Sequence, residues 1–363
     1  MAGPKRGLFS GLSGLFSFGG GNAAVGLSIG SSSIKLVELQ RSGKSWKLLH
    51  FGTVQLTEDV IVNHEIINQL AVNESIKTLI NQLRLKSKNV CISLSGTAVI
   101  IKRMSMDIPN TKDLQDQIFW EAEQYLPFDA SEVVMDFQIL SRSKEGRTDI
   151  LLVAVKKSIL EVYMSCVEAA GLVPKFVDVD FFALQNVFEA NYPSNPSEAV
   201  ALVDIGASST KLVISHAGVP VFTKESLIGG TNLTTEIQRQ LNLSFTDAES
   251  LKIGGVGGGL PQEVSDLMHI MSENFAGEIK KSIDFYNASS SGAPVSYILL
   301  AGGSSKIPGL PKVVEDHAGL PTQVLNPFNS ITFDPAIFTN DYVAAIGPVA
   351  AVPIGLALRA GSS

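Results

Sequence analysis

The sequence predicts an α/β protein of two similar lobes, and three observations indicate this. The chain has 363 residues, 45% of them apolar, which suits two or three globular domains. The segment LSIGSSSIKLVEL at 27–39 is repeated as LVDIGASSTKLVI at 202–214, about half the chain later. Two Gly-Gly turns follow the second copy, at 229–230 and 302–303, each before the start of a helix.

Each copy of the repeat predicts a strand, a tight turn and a second strand. The identical residues are Ile29, Gly30, Ser32, Ser33, Lys35, Leu36 and Val37, which match Ile205, Gly206, Ser208, Ser209, Lys211, Leu212 and Val213. Glycine lets successive N–H groups turn inward, and hydroxyl groups add donors, so such a turn suits a phosphate. One copy alone would be an ordinary hairpin. The repeat favours two hairpins that grip phosphates from opposite sides.

An acidic residue precedes the turn in the second copy only. Asp204 can hold Mg²⁺ through water, and the metal can then bind phosphates. Ser28 occupies the corresponding position in the first copy and brings no charge.

Three further segments follow in order. Gly229 and Gly230 precede a predicted helix with Thr231 as its cap, where backbone N–H groups suit phosphate oxygens. Glu249 and Lys252 share one face of the next helix and, taken alone, form a solvated salt bridge. The segment ILLAGGSSKIPGL predicts a strand, a Gly-Gly turn that lets a flat ring approach the backbone, and a helix start.

Composition excludes several classes of function. The net charge of −7 argues against a nucleic-acid-binding surface. Cys91 and Cys166 lie in apolar runs and are expected to be buried thiols in a reducing compartment, and no zinc-binding spacing is present. The longest uncharged apolar run, 342–358, is short for a membrane span and contains two prolines, so we expect a buried C-terminal helix.

The first 22 residues have an unusual composition, with a basic start followed by leucine and phenylalanine at helical spacing among glycines. A flexible tail is the favoured interpretation. A basic amphipathic segment that contacts a membrane or a partner is the alternative.

Residues 101–173 predict a compact α/β module between the two hairpins. A helical pattern at 111–126 is stopped by Pro127, and strand-like runs follow at 133–140 and 150–155.

The order of hairpin, insert, hairpin, Gly-Gly helix and strand with Gly-Gly resembles the actin, Hsp70 and sugar-kinase superfamily. Within it the chain is most similar to the FtsA/PilM family. The segments that carry this resemblance are VGLSIGSSSIKLVEL (25–39), EAEQYLPFDASEVVMDFQIL (121–140), LLVAVKKSILEVYMSCVEAAGLVPKFVDVDFFALQN (151–186) and GLALR (355–359). Residues 1–22 lie outside it.

The resemblance implies an actin-like ATPase fold, with two lobes built from duplicated ribonuclease H-like domains and an inserted subdomain, 1C, of the FtsA/PilM type. The implied division is 23–100, 174–198 and 341–359 for subdomain 1A, 101–173 for 1C, 199–230 and 276–340 for 2A, and 231–275 for 2B.

The resemblance also implies a site for ATP and Mg²⁺. Its phosphate-facing residues would be Gly30, Ser31, Ser32, Ser33, Lys35, Gly206, Ala207, Ser208, Ser209, Gly229, Gly230 and Thr231. Its ribose, base and adenosine contacts would be Glu249, Lys252, Gly302, Gly303 and Ser304. Asp204 would organise the metal, and Asp180 would orient the attacking water. Because the superfamily usually has an acid at the position of Ser28, we expect nucleotide binding to persist and hydrolysis to be weak or absent.

The function that the resemblance implies is assembly of type IV pili. The chain would bind ATP at the cytoplasmic face of the inner membrane and hold the N-terminal cytoplasmic peptide of PilN in a groove between 1A and 1C. It would contact PilO indirectly and the motor ATPases, with self-association and no nucleic acid. The alternatives are an FtsA-like membrane-associated filament protein and a small-molecule kinase of the same superfamily. Ser28 and the small insert argue against the kinase.

Overall fold

The computed structural model describes residues 23–43, 45–107, 114–143, 147–193, 195–254, 260–290 and 292–362. The expectations for residues 1–22 lie outside these ranges. The strands are β1 (Ala23–Ile29), β2 (Ser33–Ser42), β3 (Ser45–Gln55), β4 (Ile61–Val62), β5 (Glu65–Ile66), β6 (Asn89–Leu94), β7 (Val99–Asp107), β8 (Val133–Arg142), β9 (Arg147–Lys156), β10 (Val173–Val179), β11 (Ala199–Ile205), β12 (Thr210–His216), β13 (Val219–Ser226), β14 (Val295–Ala301), β15 (Thr322–Val324) and β16 (Ile331–Thr332). The helices are α1 (Gln69–Leu83), α2 (Leu114–Glu123), α3 (Lys157–Ala169), α4 (Asp180–Asn191), α5 (Gly230–Leu241), α6 (Phe245–Lys252), α7 (Gln262–Ser289), α8 (Leu310–Ala318) and α9 (Asn340–Gly361).

Two mixed sheets share one plan, which confirms the duplication predicted from the repeat. The first sheet has the order β10-β6-β1-β2-β3-β16 and the second the order β13-β12-β11-β14-β15. In each sheet the repeated segment forms an antiparallel hairpin, and its first strand also pairs in parallel with a later strand. We call the first sheet with its helices the first lobe, and the second sheet with its helices the second lobe.

A third, antiparallel sheet of order β7-β9-β8 lies within the predicted insert and confirms its two strand predictions. Alternation along β9 divides its side chains between two cores. Ile150 and Leu152 pack with Ile118 and Ala122 of α2, while Leu151 and Val153 face the core of the first lobe. Residues 111–113 of the predicted helix lie outside the described ranges.

Helix α9 is the buried C-terminal helix that the sequence predicts. It is long and apolar enough to cross a membrane, but 72% of its most apolar window is buried inside the fold. It crosses β1 at Gly26, where an added Cβ would lie 2.0 Å from the carbonyl oxygen of Pro353. It meets α4 at Gly355, where an added Cβ would lie 1.8 Å from the carbonyl oxygen of Ala183. Glycine is required at both crossings because backbone touches backbone.

The two cysteines are buried and free, as predicted. In the second lobe a second core forms around α7, with Phe275 as its largest fully buried side chain, and this core packs beneath β11, β12 and β14. The larger core extends from the first lobe to the second sheet, since Val200, Leu202 and Leu299 belong to it. Apolar packing and polar residues together therefore join the lobes.

We expect Gly355→Ala to destabilise the protein strongly, because the new methyl group must push two helix backbones apart. The free energy of unfolding should fall by about 3 kcal/mol, measured by chemical denaturation. Gly277→Ala is the matched control, since Gly277 lies on an exposed face of α7 with no atom within 4 Å of an added Cβ. The control should gain about 0.5–1 kcal/mol from helix propensity. Equal effects of the two substitutions would contradict the crossing geometry.

Candidate functional site

The turns of the two repeated hairpins face each other across the lobes. In the first, the N–H of Gly30 donates to the carbonyl of Ser33 at 3.1 Å, and in the second Gly206 donates to Ser209 at 2.9 Å. The hydroxyl of Ser31 donates to the hydroxyl of Ser208 at 2.9 Å, so the turns touch directly. These residues are brought together as the repeat predicts.

The remaining turn residues lie at the rim or behind the turns. The carbonyl of Ser32 accepts the N–H of Leu56 at 2.8 Å, and Ser32 is exposed. Ser33 is buried at the start of β2. Lys35 places its Nζ atom 4.0 Å from the position that a Cβ on Gly30 would take, so its ammonium group lies beside the first turn.

A buried ion pair joins the lobes directly behind the turns. Nζ of Lys211, in the second lobe, lies 3.2 Å from Oδ2 of Asp180 at the start of α4 in the first lobe. Oδ1 of Asp180 accepts a hydrogen bond of 2.5 Å from the hydroxyl of Ser93. Both oxygens of Asp180, the predicted water-orienting residue, are therefore engaged within the protein.

A second interlobe contact centres on Glu225 of β13, which sequence reasoning missed. Its Oε1 lies 2.9 Å from Nε2 of His64 and accepts the hydroxyl of Ser209 at 2.7 Å. Its Oε2 accepts the backbone N–H of Gly96 at 3.0 Å. The hydroxyl of Ser95 lies 3.0 Å from Nδ1 of His64. We call His64, Ser95, Gly96, Ser209 and Glu225 the lobe latch.

The latch depends on loop conformations that no sequence pattern predicts. His64 has φ +65° in the turn between β4 and β5, and an added Cβ on Gly96 would lie 2.5 Å from Cδ2 of His64. One signal was available for Glu225, because it pairs with Lys211 across β12 and β13. An acid opposite a lysine on adjacent strands indicates a cross-strand ion pair.

Charges at the interface shift one another's pKa values. Burial would raise the pKa of Glu225, but hydrogen bonds from His64 and Ser209 and the charge of Lys211 lower it to about 2. Burial would lower the pKa of Lys211, but Asp180, Asp204 and Glu225 raise it well above its usual value. Burial lowers the pKa of Lys35, and Asp204 and Asp180 oppose that shift only in part. Burial raises the pKa of Asp204 against the attraction of Lys211.

The predicted cap of α5 is wrong. Gly229 is the N-cap and α5 begins at Gly230, because the amide of Asn232 accepts the N–H of Gly229 at 2.8 Å and closes the first turn. The N–H groups of Gly230 and Thr231 donate to the carbonyls of Gly206 and Ala207 at 2.9 and 2.8 Å. The sequence predicts these N–H groups as donors to phosphate, but in the structure they bind the backbone of the second hairpin.

Glu249 and Lys252 share one face of α6, as predicted, and their charged atoms lie 2.6 Å apart. Lys252 also donates to the carbonyl of Gly230 at 3.2 Å and to the hydroxyl of Thr234 at 2.8 Å. The pair therefore anchors α6 to the start of α5, beside the second hairpin.

The turn after β14 packs tightly against the second hairpin. Gly302 has φ +85°, and an added Cβ would lie 2.4 Å from the carbonyl oxygen of Ile205 and 2.6 Å from Oδ1 of Asp204. Gly303 begins a short 3₁₀ turn, and the hydroxyl of Ser304 donates to the carbonyl of Gly206 at 3.1 Å. The structure therefore brings all the predicted site segments of the second lobe together around residues 204–209.

A separate polar cluster lies where the third sheet meets the first lobe. Asp136 of β8 and Asp178 of β10 both interact electrostatically with Arg359 of α9, and burial raises the pKa of each carboxyl to about 6. Oδ1 of Asp136 accepts the N–H of Phe137 at 2.8 Å, but the buried Oδ2 has no hydrogen-bond partner. A buried carboxylate oxygen without a donor is costly, so this edge suits a cationic ligand. β8 and β10 are edge strands of their sheets.

Comparison with known proteins identifies the family. The model of the type IV pilus assembly protein PilM matches residues 26–361. The chain belongs to the PilM family of type IV pilus assembly proteins. A chain of a solved PilM–PilN type IV pilus biogenesis complex superimposes with a TM-score of 0.84 at 29% identity, over 94% of this chain and 98% of that one.

Two more distant relatives show how far the fold extends. The cell division protein FtsA of Enterococcus hirae is 22% identical over 385 residues, which cover 90% of this chain and 84% of FtsA. MreB5 of Spiroplasma citri bound to AMPPNP superimposes with a TM-score of 0.51 at 11% identity, over 93% of this chain and 95% of that one. The prediction of an actin-like fold in the FtsA/PilM family is confirmed.

The lobe latch should lose stability in acid. Because the pKa of Glu225 falls from an ordinary 4.5 to about 2 on folding, its contribution is complete above pH 4.5 and is lost as pH falls towards 2. Glu225→Gln should lower the free energy of unfolding by about 3 kcal/mol at neutral pH, and the difference from wild type should shrink towards zero near pH 2. Chemical denaturation across this pH range measures it.

Glu58→Gln is the control, since Glu58 is exposed and lies outside the latch. It should track wild type at every pH. A Glu225→Gln deficit that stays constant between pH 7 and pH 2 would show that the carboxylate charge does not stabilise the interface.

Proposed function

We propose that this PilM-family chain binds ATP between its two hairpins and works at the cytoplasmic face of the inner membrane. There it would hold the N-terminal cytoplasmic peptide of PilN and link the pilus alignment complex, with PilO in indirect contact, to the motor ATPases. The observation that carries the proposal is the duplicated hairpin pair, whose turns meet at Ser31 and Ser208. Self-association is a further part of the proposal.

The nucleotide part rests on the chemistry of the cleft. Hydroxyl groups of Ser31 and Ser208 and the ammonium group of Lys35 converge on the gap between the hairpins. These are donors for phosphate oxygens. Glycines 206, 229, 230 and 302 allow backbones to approach closely around the second hairpin. MreB5 of Spiroplasma citri has the same fold, and its solved structures contain a bound nucleotide, ADP or AMPPNP.

Hydrolysis is expected to be weak or absent. Ser28 supplies no carboxylate, and both oxygens of Asp180 are engaged by Ser93 and Lys211. Positioning of water by a carboxylate requires a free oxygen near the phosphate. The chain is therefore better suited to holding a nucleotide than to turning it over.

The residues of the cleft fit the expected magnesium ion poorly. Magnesium is usually held by one or two carboxylates together with nucleotide phosphates and water. Asp204 is the only predicted metal residue, it lies directly opposite Lys211 across the hairpin, and Lys35 is also near it. In the described ranges no group of three His, Cys, Asp or Glu side chains is placed to hold a metal ion.

The peptide part rests on the cluster of Asp136, Asp178 and Arg359. Asp136 and Asp178 both lie within electrostatic range of the Arg359 guanidinium group, where the edge strand of the third sheet meets the first lobe. The orphaned Oδ2 of Asp136 calls for a positively charged donor. The N-terminal amine or a basic side chain of an extended peptide would supply it, and an edge strand supplies backbone partners.

Ser208→Asp should weaken ATP binding by about tenfold or more, because it adds a negative charge where phosphates are expected. Titration of the full chain with a fluorescent ATP analogue measures it. Ser42→Asp is the control, since Ser42 is exposed at the far end of β2. Undiminished affinity of Ser208→Asp would place the nucleotide elsewhere.

Asp136→Asn should weaken binding of a synthetic PilN N-terminal peptide by about tenfold, because it removes the charge while keeping the side-chain shape. Asp116→Asn is the control, since Asp116 is exposed on α2 of the same insert. Calorimetry with the full chain measures both. If wild type binds the peptide and Asp136→Asn binds it equally well, the peptide's charge is read elsewhere; if wild type does not bind it, the partner is wrong.

A further inference from the structure

The duplicated hairpins place a lysine at the same position in both lobes. Lys35 lies directly opposite Ser28 across the first hairpin, and Lys211 lies directly opposite Asp204 across the second. Residues directly opposite on antiparallel strands point to the same face. The two hairpins therefore bring two ammonium groups towards one interlobe cleft, although only one hairpin retains an acid.

Lys211 is held by acids from both lobes. Its side chain is 9% exposed, and its Nζ lies 3.2 Å from Asp180 of the first lobe and 4.0 Å from Glu225 of the second. With Asp204 opposite it, three carboxylates surround one ammonium group. A divalent cation in such a cleft would have the same effect as Lys211, because it would neutralise the acids and join the lobes.

Lys35 differs from Lys211 in its partners. In the described part of the chain it forms no ion pair within 4.0 Å, although Asp204 and Asp180 attract it from a longer distance. Its ammonium group lies beside the turn at Gly30. A half-buried ammonium group that lacks a close anion and lies beside a glycine turn is suited to receive a phosphate.

A magnesium ion would meet an unfavourable field in this cleft. The acid expected at position 28 is a serine, and Asp180 and Asp204 are compensated by Lys211. A divalent cation beside Asp204 would be close to two ammonium groups of like charge, which repel it.

We propose that this chain binds nucleotide phosphates without a divalent metal ion, with Lys211 as a built-in cation in the metal's place and Lys35 as the phosphate contact. The inference rests on the proposed nucleotide binding and deepens it. The ligand class is a metal-free nucleoside di- or triphosphate. Lys211 keeps the acids of both lobes neutralised, so that the phosphate charge faces Lys35 and the turn donors.

The experiment titrates the full chain with a fluorescent ATP analogue, once with Mg²⁺ and once with EDTA. For wild type we expect dissociation constants that agree within about threefold. Lys211→Met should lose about tenfold or more of its affinity in EDTA, and Mg²⁺ should restore part of it because the acids are then free to take a metal. Lys211→Arg retains the charge and should remain independent of Mg²⁺.

Two checks make the result decisive. Lys224→Met applies the same chemical change to an exposed lysine of β13 and should behave as wild type. Direct binding of Mn²⁺, followed by electron paramagnetic resonance in the presence of nucleotide, should appear in Lys211→Met and be absent from wild type. Circular dichroism confirms that each variant is folded.

A wild-type affinity that rises about tenfold or more with Mg²⁺, or Mn²⁺ bound to wild type beside the nucleotide, would overturn the inference while leaving nucleotide binding intact. Absence of nucleotide binding under both conditions would overturn the proposed nucleotide function and this inference with it. If Lys211→Met were folded and bound nucleotide in EDTA as wild type does, Lys211 would have no role in binding, and the inference would fail.

Discussion

The polar part of the interface between the lobes depends on one buried ammonium group. Lys211 cannot be buried alone at tolerable cost, so it needs carboxylates, and the nearest ones come from both lobes: Asp180 from the first, Asp204 and Glu225 from the second. If the lobes separated, Lys211 would lose Asp180 and Glu225 would lose His64 at the same time. The hydroxyl contact between Ser31 and Ser208 also joins the lobes, and it forms only while the ion pairs hold the lobes together. Removing one partner of such a buried group leaves another charge without compensation, which is why the closed arrangement is a property of the whole cluster.

Local sequence determined the repeated parts of the fold well and the interface poorly. The two hairpins, the strands of the insert and the buried terminal helix could be predicted because strand alternation, tight turns and apolar periodicity are read from neighbouring residues. The latch could not be predicted, since His64 and Glu225 are 161 positions apart in sequence and meet through a left-handed turn. The cap of α5 was misassigned to Thr231 because two glycines and an asparagine compete with it, and Asn232 closes the turn. The orphaned oxygen of Asp136 depends on packing between a sheet edge and a distant helix, which residue spacing does not encode.

Family membership and site chemistry answer different questions about this chain. The match over residues 26–361 and the likeness to a PilM–PilN complex place it in type IV pilus assembly. They do not determine which charges lie in its cleft. There, a serine lies opposite a lysine in the first hairpin and an acid lies opposite a lysine in the second. A fold that hosts many functions is specialised by the residues at its site.

The crossing of α9 over β1 also has a consequence for biosynthesis. The helix that covers the first strand is translated after every other element described here, and Gly26 and Gly355 allow it to fit only at one depth. The second lobe, from β11 to β15, has its own core and can complete that core while the ribosome is still working. The first lobe must wait, with the apolar face of β1 and α4 uncovered, until α9 leaves the exit tunnel. During that interval the nascent chain exposes apolar surface, and the lobe whose strands are made first completes its core last.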